Sequence, residues 1–368
     1  MTEGTKRTRP PPAAKAILLL AAAGLAIALG VRWRGGPAGG PVVELSGGTM
    51  GTTYHIAVAE PGWEGPRLDA LTSAVAACLA EMDRQMSVYR PDSEISRVNA
   101  AGAGEAVEVS ADFAGVLSFA LDVARRSGGV FDPTVAPLVE VWGFGANGRR
   151  APPPGPAEIE AARADVGHGL VRVEGRRVVK DRPGTRLDLN AIAPGYGVDA
   201  VSRALRSLGA TNYFVEIGGE VHAAGLNAFG KPWRIGVDYP SWDALPGDSL
   251  LGVLHLSGAA VATSGNYRNY RADADGARYT HILDPRTGQS LRRPQTSVSV
   301  VARDAMTADA LATTLFVMGP DDGLPWLRRE FPGVEAYFVV REGAKDALRE
   351  AETTGFRAAT SYERRTAK

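Results

Sequence analysis

The chain is predicted to fold as an α+β domain because three patterns recur along its 368 residues. Short runs that alternate apolar and polar residues read as strands, and longer stretches with apolar residues at helical spacing read as helices. Glycine and proline are frequent, at 44 and 24, yet they are spread between the apolar runs and form no biased tract. That distribution suits a turn-rich globular fold better than disorder. The length allows one large domain or two ordinary ones, with ample material for a core.

Charge and cysteine content remove several function classes. Lys plus Arg equals Asp plus Glu, at 41 each, so no overall field draws the chain to nucleic acid, and a phosphate-bearing ligand must be met by local groups. Cys78 is the single cysteine, which excludes an internal disulfide and a thiolate metal cluster. It sits in an Ala-rich helical stretch, where it reads as a small buried hydrophobe.

The first residues are polar and basic, with Lys6, Arg7, Arg9 and Lys15, and Ala16 to Val31 is uninterrupted apolar sequence. This is short for a spanning helix, which needs about 20 residues, but sufficient for the core of an export signal. The expectation is a membrane anchor over residues 16–31, followed by a Gly/Pro spacer from Gly35 to Pro41. The folded domain is then expected over residues 42–357, on the extracytoplasmic side, with a loose tail over 358–368.

Within the domain, Tyr54 to Val58 alternates as a strand behind Met50-Gly51, and Arg67 to Met86 is a helix. Ser87 to Asn99 reads as a loop opening a short capped helix, with Tyr89 placed either against a planar ligand or in the core. Phe113 to Arg126 is amphipathic, and Ser127 to Leu138 is read as irregular because of its glycines and prolines. Asp188 to Asp199 ends a strand and opens a helix reaching Leu208, which is a place where backbone amides meet phosphate and carbonyls meet cations. Strands are expected over Tyr213–Gly219, Trp233–Tyr239, Leu251–Leu256 and Tyr337–Val340, and a turn over Ala262–Tyr267.

The stretch from Arg278 to Gly319 carries the densest chemistry. A short apolar strand with His281 leads into the turn Asp284-Pro285-Arg286-Thr287-Gly288, whose residue types favour a tight turn. Ser297 to Ala302 reads as a strand feeding a helix from Ala305 to Met318, with Asp304 as N-cap and Gly319-Pro320 as stop. On that helix Asp309 and Thr313 are four apart, so a carboxylate and a hydroxyl share one face. They supply half of a hard-cation site, or they lie on a solvated face while Asp284 and Thr287 merely close their turn.

Eight motifs appear in a fixed order: TMGTTY, YRPDSEISRVN, FDPTVAPLVEVWGFG, DLNAIAPGYGVDAV, VEIGGEV, ATSGNYRNY, HILDPRTG and DALATT. Together, from about Thr49 to Gly319, they resemble the FAD:protein FMN transferases, the ApbE-like flavin transferases. The resemblance implies mixed, largely antiparallel sheets with packed helices in a T-fold-like arrangement. It also implies transfer of the FMN half of FAD onto a threonine or serine hydroxyl of an acceptor protein, with AMP released and Mg²⁺ bound. By position it implies metal ligands at the Ala191 carbonyl, Asp309 and Thr313, and FAD contacts at Met50, Tyr89, Val130, Phe131, Asp132, Asp188, Pro194 and Leu283. His281 matches a histidine assigned to proton transfer, with Asp284 as the rival base. The all-oxygen ligand set agrees with magnesium or calcium and disfavours zinc.

One position departs from the pattern. Pro194 stands where the family commonly has lysine, so a charge and an amide hydrogen are absent there, and Arg268 or Arg286 is expected to compensate. Two other readings remain, a metal-dependent FAD pyrophosphatase and a flavin-storing protein without turnover. The acceptor is expected to be an exported or membrane redox protein.

Overall fold

The computed structural model describes residues 30–34, 39–145, 148, 153–242, 245, 247–267, 269–272, 276, 278–294, 296–342 and 347–365. Nine strands form its main sheet: β1 Gly30–Arg34, β2 Val42–Thr49, β3 Thr52–Val58, β4 Tyr213–Ile217, β5 Glu220–Ala224, β6 Ala259–Gly265, β7 Thr296–Ala302, β8 Glu335–Glu342 and β9 Ala347–Glu352. Their spatial order follows their chain order, and every neighbouring pair is antiparallel. The expected α+β class with largely antiparallel sheets is therefore observed.

Alternation along the central strands sends successive side chains to opposite faces. Val298, Val300 and Ala302 of β7, with Ala336 and Phe338 of β8, join one core with the helices. Val301, Tyr337 and Val339 join another with a three-stranded sheet made of Trp233–Asp238, Leu250–Leu256 and Glu363–Arg364. The helix layer contains α1 Pro66–Met86, α2 Ala111–Arg126, α3 Ala193–Ser207 and α4 Ala305–Met318. Among these α4 is apolar nearly all round, with Ala308 to Ala312 and Thr314 to Val317 buried, as a helix enclosed in a core must be.

Several expectations are corrected. The loose tail after Arg357 is instead packed: Phe356–Thr360 is a helix, Glu363 pairs with Val253, and Phe356, Thr360 and Tyr362 are buried. Tyr362 fits because Gly252 has no side chain, since a Cβ there would come within 2.2 Å of the tyrosine ring. Ala262 to Gly265, expected in a turn, continues β6 at the centre of the sheet, where pairing with β7 overrides the turn propensity of its small residues. Ala136–Val141 is a short helix despite Pro137, which sits in its first turn where a missing amide costs little. The domain also begins before Val42, because Gly30 and Val31 already pair with Ser46 and Leu45. The remainder of the predicted anchor, residues 16–29, lies outside the described residues. Among the described residues no helix is long and apolar enough to cross a membrane.

His222 on β5 is 6% exposed and stacks on Tyr213, with ring centroids 5.8 Å apart. Burial and then the Arg206 guanidinium push its pKa down from 6.5 to about 4. Below pH 6.5 the unfolded chain binds a proton that the folded chain refuses until about pH 4, so this residue withdraws stability as pH falls through that window. The loss amounts to at most about 3 kcal/mol. Urea unfolding of His222→Gln across pH 4–7 should show a flatter stability profile than the wild type. Parallel profiles would refute the assignment.

Candidate functional site

Two helices meet where the metal ligands were expected. Gly195 in the first turn of α3 crosses α4 at backbone contact: a Cβ there would stand 2.3 Å from the Ala305 carbonyl oxygen and 2.8 Å from Asp309 Cβ. Only glycine permits that approach. The Gly195 amide then donates to Asp309 Oδ2 at 3.0 Å. This leaves the Ala191 carbonyl, one turn earlier, without a backbone donor among the described residues.

Asp309 is 5% exposed, so the solvated-face alternative is excluded for it. Burial pushes its carboxyl pKa up, the Gly195 amide opposes this, and Asp199 adds to it. Its second oxygen, Oδ1, takes no hydrogen bond among the described residues. One turn further, half-buried Thr313 shares a hydrogen bond with Ser264 at the end of β6, 3.2 Å between oxygens. A buried carboxylate oxygen and a hydroxyl one turn apart on α4, with a carbonyl one turn before the Gly195 contact, are oxygen donors of the kind that fits a hard divalent cation. No group of three or more His, Cys, Asp or Glu residues suited to a metal occurs among the described residues, so the oxygen set has no thiolate or imidazole competitor there.

The junction is fixed by caps. Asp199 on α3 accepts from the Ala305 and Met306 amides at 2.9 Å each, and Asp304 accepts from Thr307 at 2.8 Å. Asp304 is thus the N-cap the sequence predicts. Sequence reasoning missed Asp199 and Ser264, because their partners lie on other elements. Pro194 sits in the first turn of α3, where its missing amide is one of the helix's unpaired donors in any case.

The expected flavin residues have different surroundings, and Tyr89 and Asp188 share a cavity. Met50 turns from β2 to β3 with φ 46°, next to Gly51 at φ 75°, in a hairpin turn that a non-glycine enters at a cost. Tyr89, 65% exposed, and Asp188 both line a cavity of about 350 Å³ together with Asn99, Phe144 and Asn190. Asn99 clamps the adjoining Leu187 backbone from both sides, with Nδ2 donating to its carbonyl at 2.9 Å and Oδ1 accepting from its amide at 2.6 Å. The Asp188 carboxyl is pushed up by burial despite accepting from the Asn190 amide.

Val130, Phe131 and Leu283 are buried apolar packing. Asp132 is also inward: Oδ1 accepts from the Thr134 amide and hydroxyl at 2.9 and 2.6 Å, and Oδ2 from the His168 amide at 2.7 Å. Its carboxylate is occupied in shaping the loop, so any flavin contact there falls to the backbone. The strand expected to end at Asp188 is reduced to an isolated parallel bridge between Val135 and Arg186, which joins this loop to the segment before Asp188.

His281 is not inside a strand as expected but lies at the break between Arg278–Thr280 and Leu283–Asp284. Its Nδ1 lies 3.0 Å from the Asn269 carbonyl oxygen, and its ring meets Phe144 edge-on at 6.3 Å, next to the Tyr89 cavity. Donation from Nδ1 leaves Nε2 as the basic nitrogen. Burial lowers its pKa, and the Asn269 carbonyl partly opposes that. Asp284 is committed elsewhere: it accepts from the Arg286 amide, Nε and Nη2 at 3.0, 3.0 and 2.9 Å. Asp284 and Arg286 are thus engaged with each other, while His281 Nε2 takes no hydrogen bond among the described residues. Arg268 lies outside the described residues.

Comparison with known proteins shows the family. A sequence model of the ApbE family matches residues 50–338. A FAD:protein FMN transferase of Vibrio cholerae is 43% identical over 283 residues, 77% of this chain and 83% of that protein. One of Haemophilus influenzae is 37% identical over 82% of this chain and 87% of its own length. Among solved structures, the flavin transferase ApbE from Vibrio cholerae superposes with a TM-score of 0.77 at 38% identity, covering 86% of this chain and 98% of that one. The apo flavinyl transferase ApbE of Pseudomonas stutzeri gives 0.76 at 36%, covering 90% and 97%. With its fold, its motifs and most of its length in common with these proteins, the chain belongs to the ApbE family.

Proposed function

We propose that this enzyme is a Mg²⁺-dependent FAD:protein FMN transferase that modifies a threonine or serine of an exported or membrane redox protein and releases AMP. The observation that carries the reading is the buried Asp309 carboxylate, bonded to the first turn of α3 and sharing a helix face with Thr313. Ala191, Asp309 and Thr313 would hold the cation, which supplies neutralisation of negative charge on the diphosphate.

The chain's own groups do the rest. The cavity beside Tyr89 and Asp188 receives the flavin, with the exposed Tyr89 ring offered to its planar face. The acceptor hydroxyl oxygen bonds to the phosphorus of the FMN half as the bond from that phosphorus to the bridging oxygen breaks. AMP leaves with the bridging oxygen. The hydroxyl proton passes to His281 Nε2, which burial keeps neutral and ready to accept it near pH 7. The basic leader and apolar segment support attachment to the membrane with the domain outside.

Tyr89→Ala should weaken FAD binding by roughly three- to tenfold, the worth of one aromatic contact, read by fluorescence titration; unchanged affinity would remove Tyr89 from the site. The reading itself is tested by incubating the enzyme with FAD, Mg²⁺ and a candidate acceptor from the same cell. The acceptor should gain the mass of one FMN in step with AMP release. FMN and AMP formed without an adduct would mean hydrolysis, and intact FAD would mean storage.

A further inference from the structure

A groove of about 480 Å³ lies against α2, the middle of α3 and the start of α4, and none of the residues assigned to flavin or metal lines it. Its cationic lining is Arg203, Arg206 and Arg303, with His222 behind them. Asp199 and Asp304 also line it; both Asp199 oxygens and Oδ1 of Asp304 are used in capping α4. Asp112, the remaining carboxylate, is held by the Tyr196 hydroxyl.

The guanidinium groups of Arg203 and Arg206 lean on aromatic side chains and not on carboxylates. Arg203 lies over the Tyr196 ring at 5.3 Å, and Arg206 donates to the Tyr213 hydroxyl at 3.2 Å. Arg303 makes no hydrogen bond or ion pair among the described residues, and none of the three is ion-paired to a carboxylate there. His222 is 6% exposed, shares Nδ1 with Ser202 at 3.4 Å, and has no partner for Nε2 among the described residues. The His222 ring and three guanidinium groups without a carboxylate partner therefore line one groove with donor capacity left over.

We propose that this groove is a second ligand site, binding a small phosphate monoester. The planar forks of Arg203, Arg206 and Arg303 match phosphate oxygens, for which arginine is the suited donor. His222, uncharged at neutral pH because its pKa lies near 4, donates from Nε2 without adding charge when the Ser202 hydroxyl donates to Nδ1. Tyr196, Val116 and Met306 provide apolar wall. The volume falls within the range of small-molecule pockets, roughly 300–1,000 Å³, so a nucleoside monophosphate fits as well as inorganic phosphate.

Calorimetric titration of the protein with inorganic phosphate and with AMP, free of divalent metal, tests this. Saturable binding at roughly millimolar affinity or tighter is expected, and AMP binding more tightly than phosphate would place the nucleoside in the groove as well. Arg203→Gln combined with Arg303→Gln should weaken binding at least tenfold. Arg303→Gln alone, which breaks no internal contact, should weaken it at least threefold while the unfolding midpoint stays unchanged. Asp309→Asn and saturating FAD should leave it intact. Absence of saturable binding, persistence in both arginine variants, or loss in Asp309→Asn would overturn the assignment.

Discussion

Asp309→Asn should lower flavin transfer by about 10²–10³-fold, the scale of removing one electrostatic group aimed at the reacting charge. Asparagine keeps an oxygen for the Gly195 amide and nearly the same shape, so the α3–α4 contact survives while the charge disappears. The stability effect has the opposite sign. Burial raises the Asp309 pKa, which means the ionised form costs stability above the pH where the unfolded carboxyl ionises, and asparagine carries no such cost. Without metal the variant should therefore melt no lower than the wild type. Added Mg²⁺ should raise the midpoint of the wild type only, because a ligand stabilises the state that binds it. Calorimetric melts with and without Mg²⁺, beside rates of adduct formation, read both effects. A variant that melts much lower and still responds to Mg²⁺ would make Asp309 a structural residue.

His281→Ala should reduce kcat by about 10²–10⁴-fold, the usual worth of a general base, with little change in FAD affinity. The substitution retains the backbone bond from residue 281 to the Asn269 carbonyl and removes only the ring. Since burial lowers the His281 pKa below 6.5, its base form is fully populated at neutral pH. The acid limb of the wild-type kcat/KM profile should fall below pH 6.5 and vanish in the variant. Equal losses in kcat and in FAD affinity would indicate that the ring positions substrate instead of taking a proton.

Local signals in the sequence were read well where the structure is decided locally. The helix Ala305–Met318 and its Asp304 cap follow from periodicity and capping within one stretch. The pairing of Asp309 with Thr313 follows from helical spacing, but their burial does not, because it depends on Gly195 letting another helix come close. Long-range packing also explains the misreadings. Tyr362 packs on Gly252 and Tyr337, both distant in the chain. The β6 residues Thr263 and Ser264 resemble a turn until β7 is placed beside them. Asp284 and Arg286 are a local case: the tight turn folds each onto the other, a pairing that residue types alone do not specify.

Anomalous diffraction from crystals of the enzyme soaked with Mn²⁺ in place of Mg²⁺ tests the central claim most directly. A single peak is predicted among the Ala191 carbonyl oxygen, an Asp309 carboxylate oxygen and the Thr313 hydroxyl, each at about 2.0–2.3 Å as hard cations require of oxygen. A peak bound elsewhere, with these three groups uncoordinated, would contradict the account.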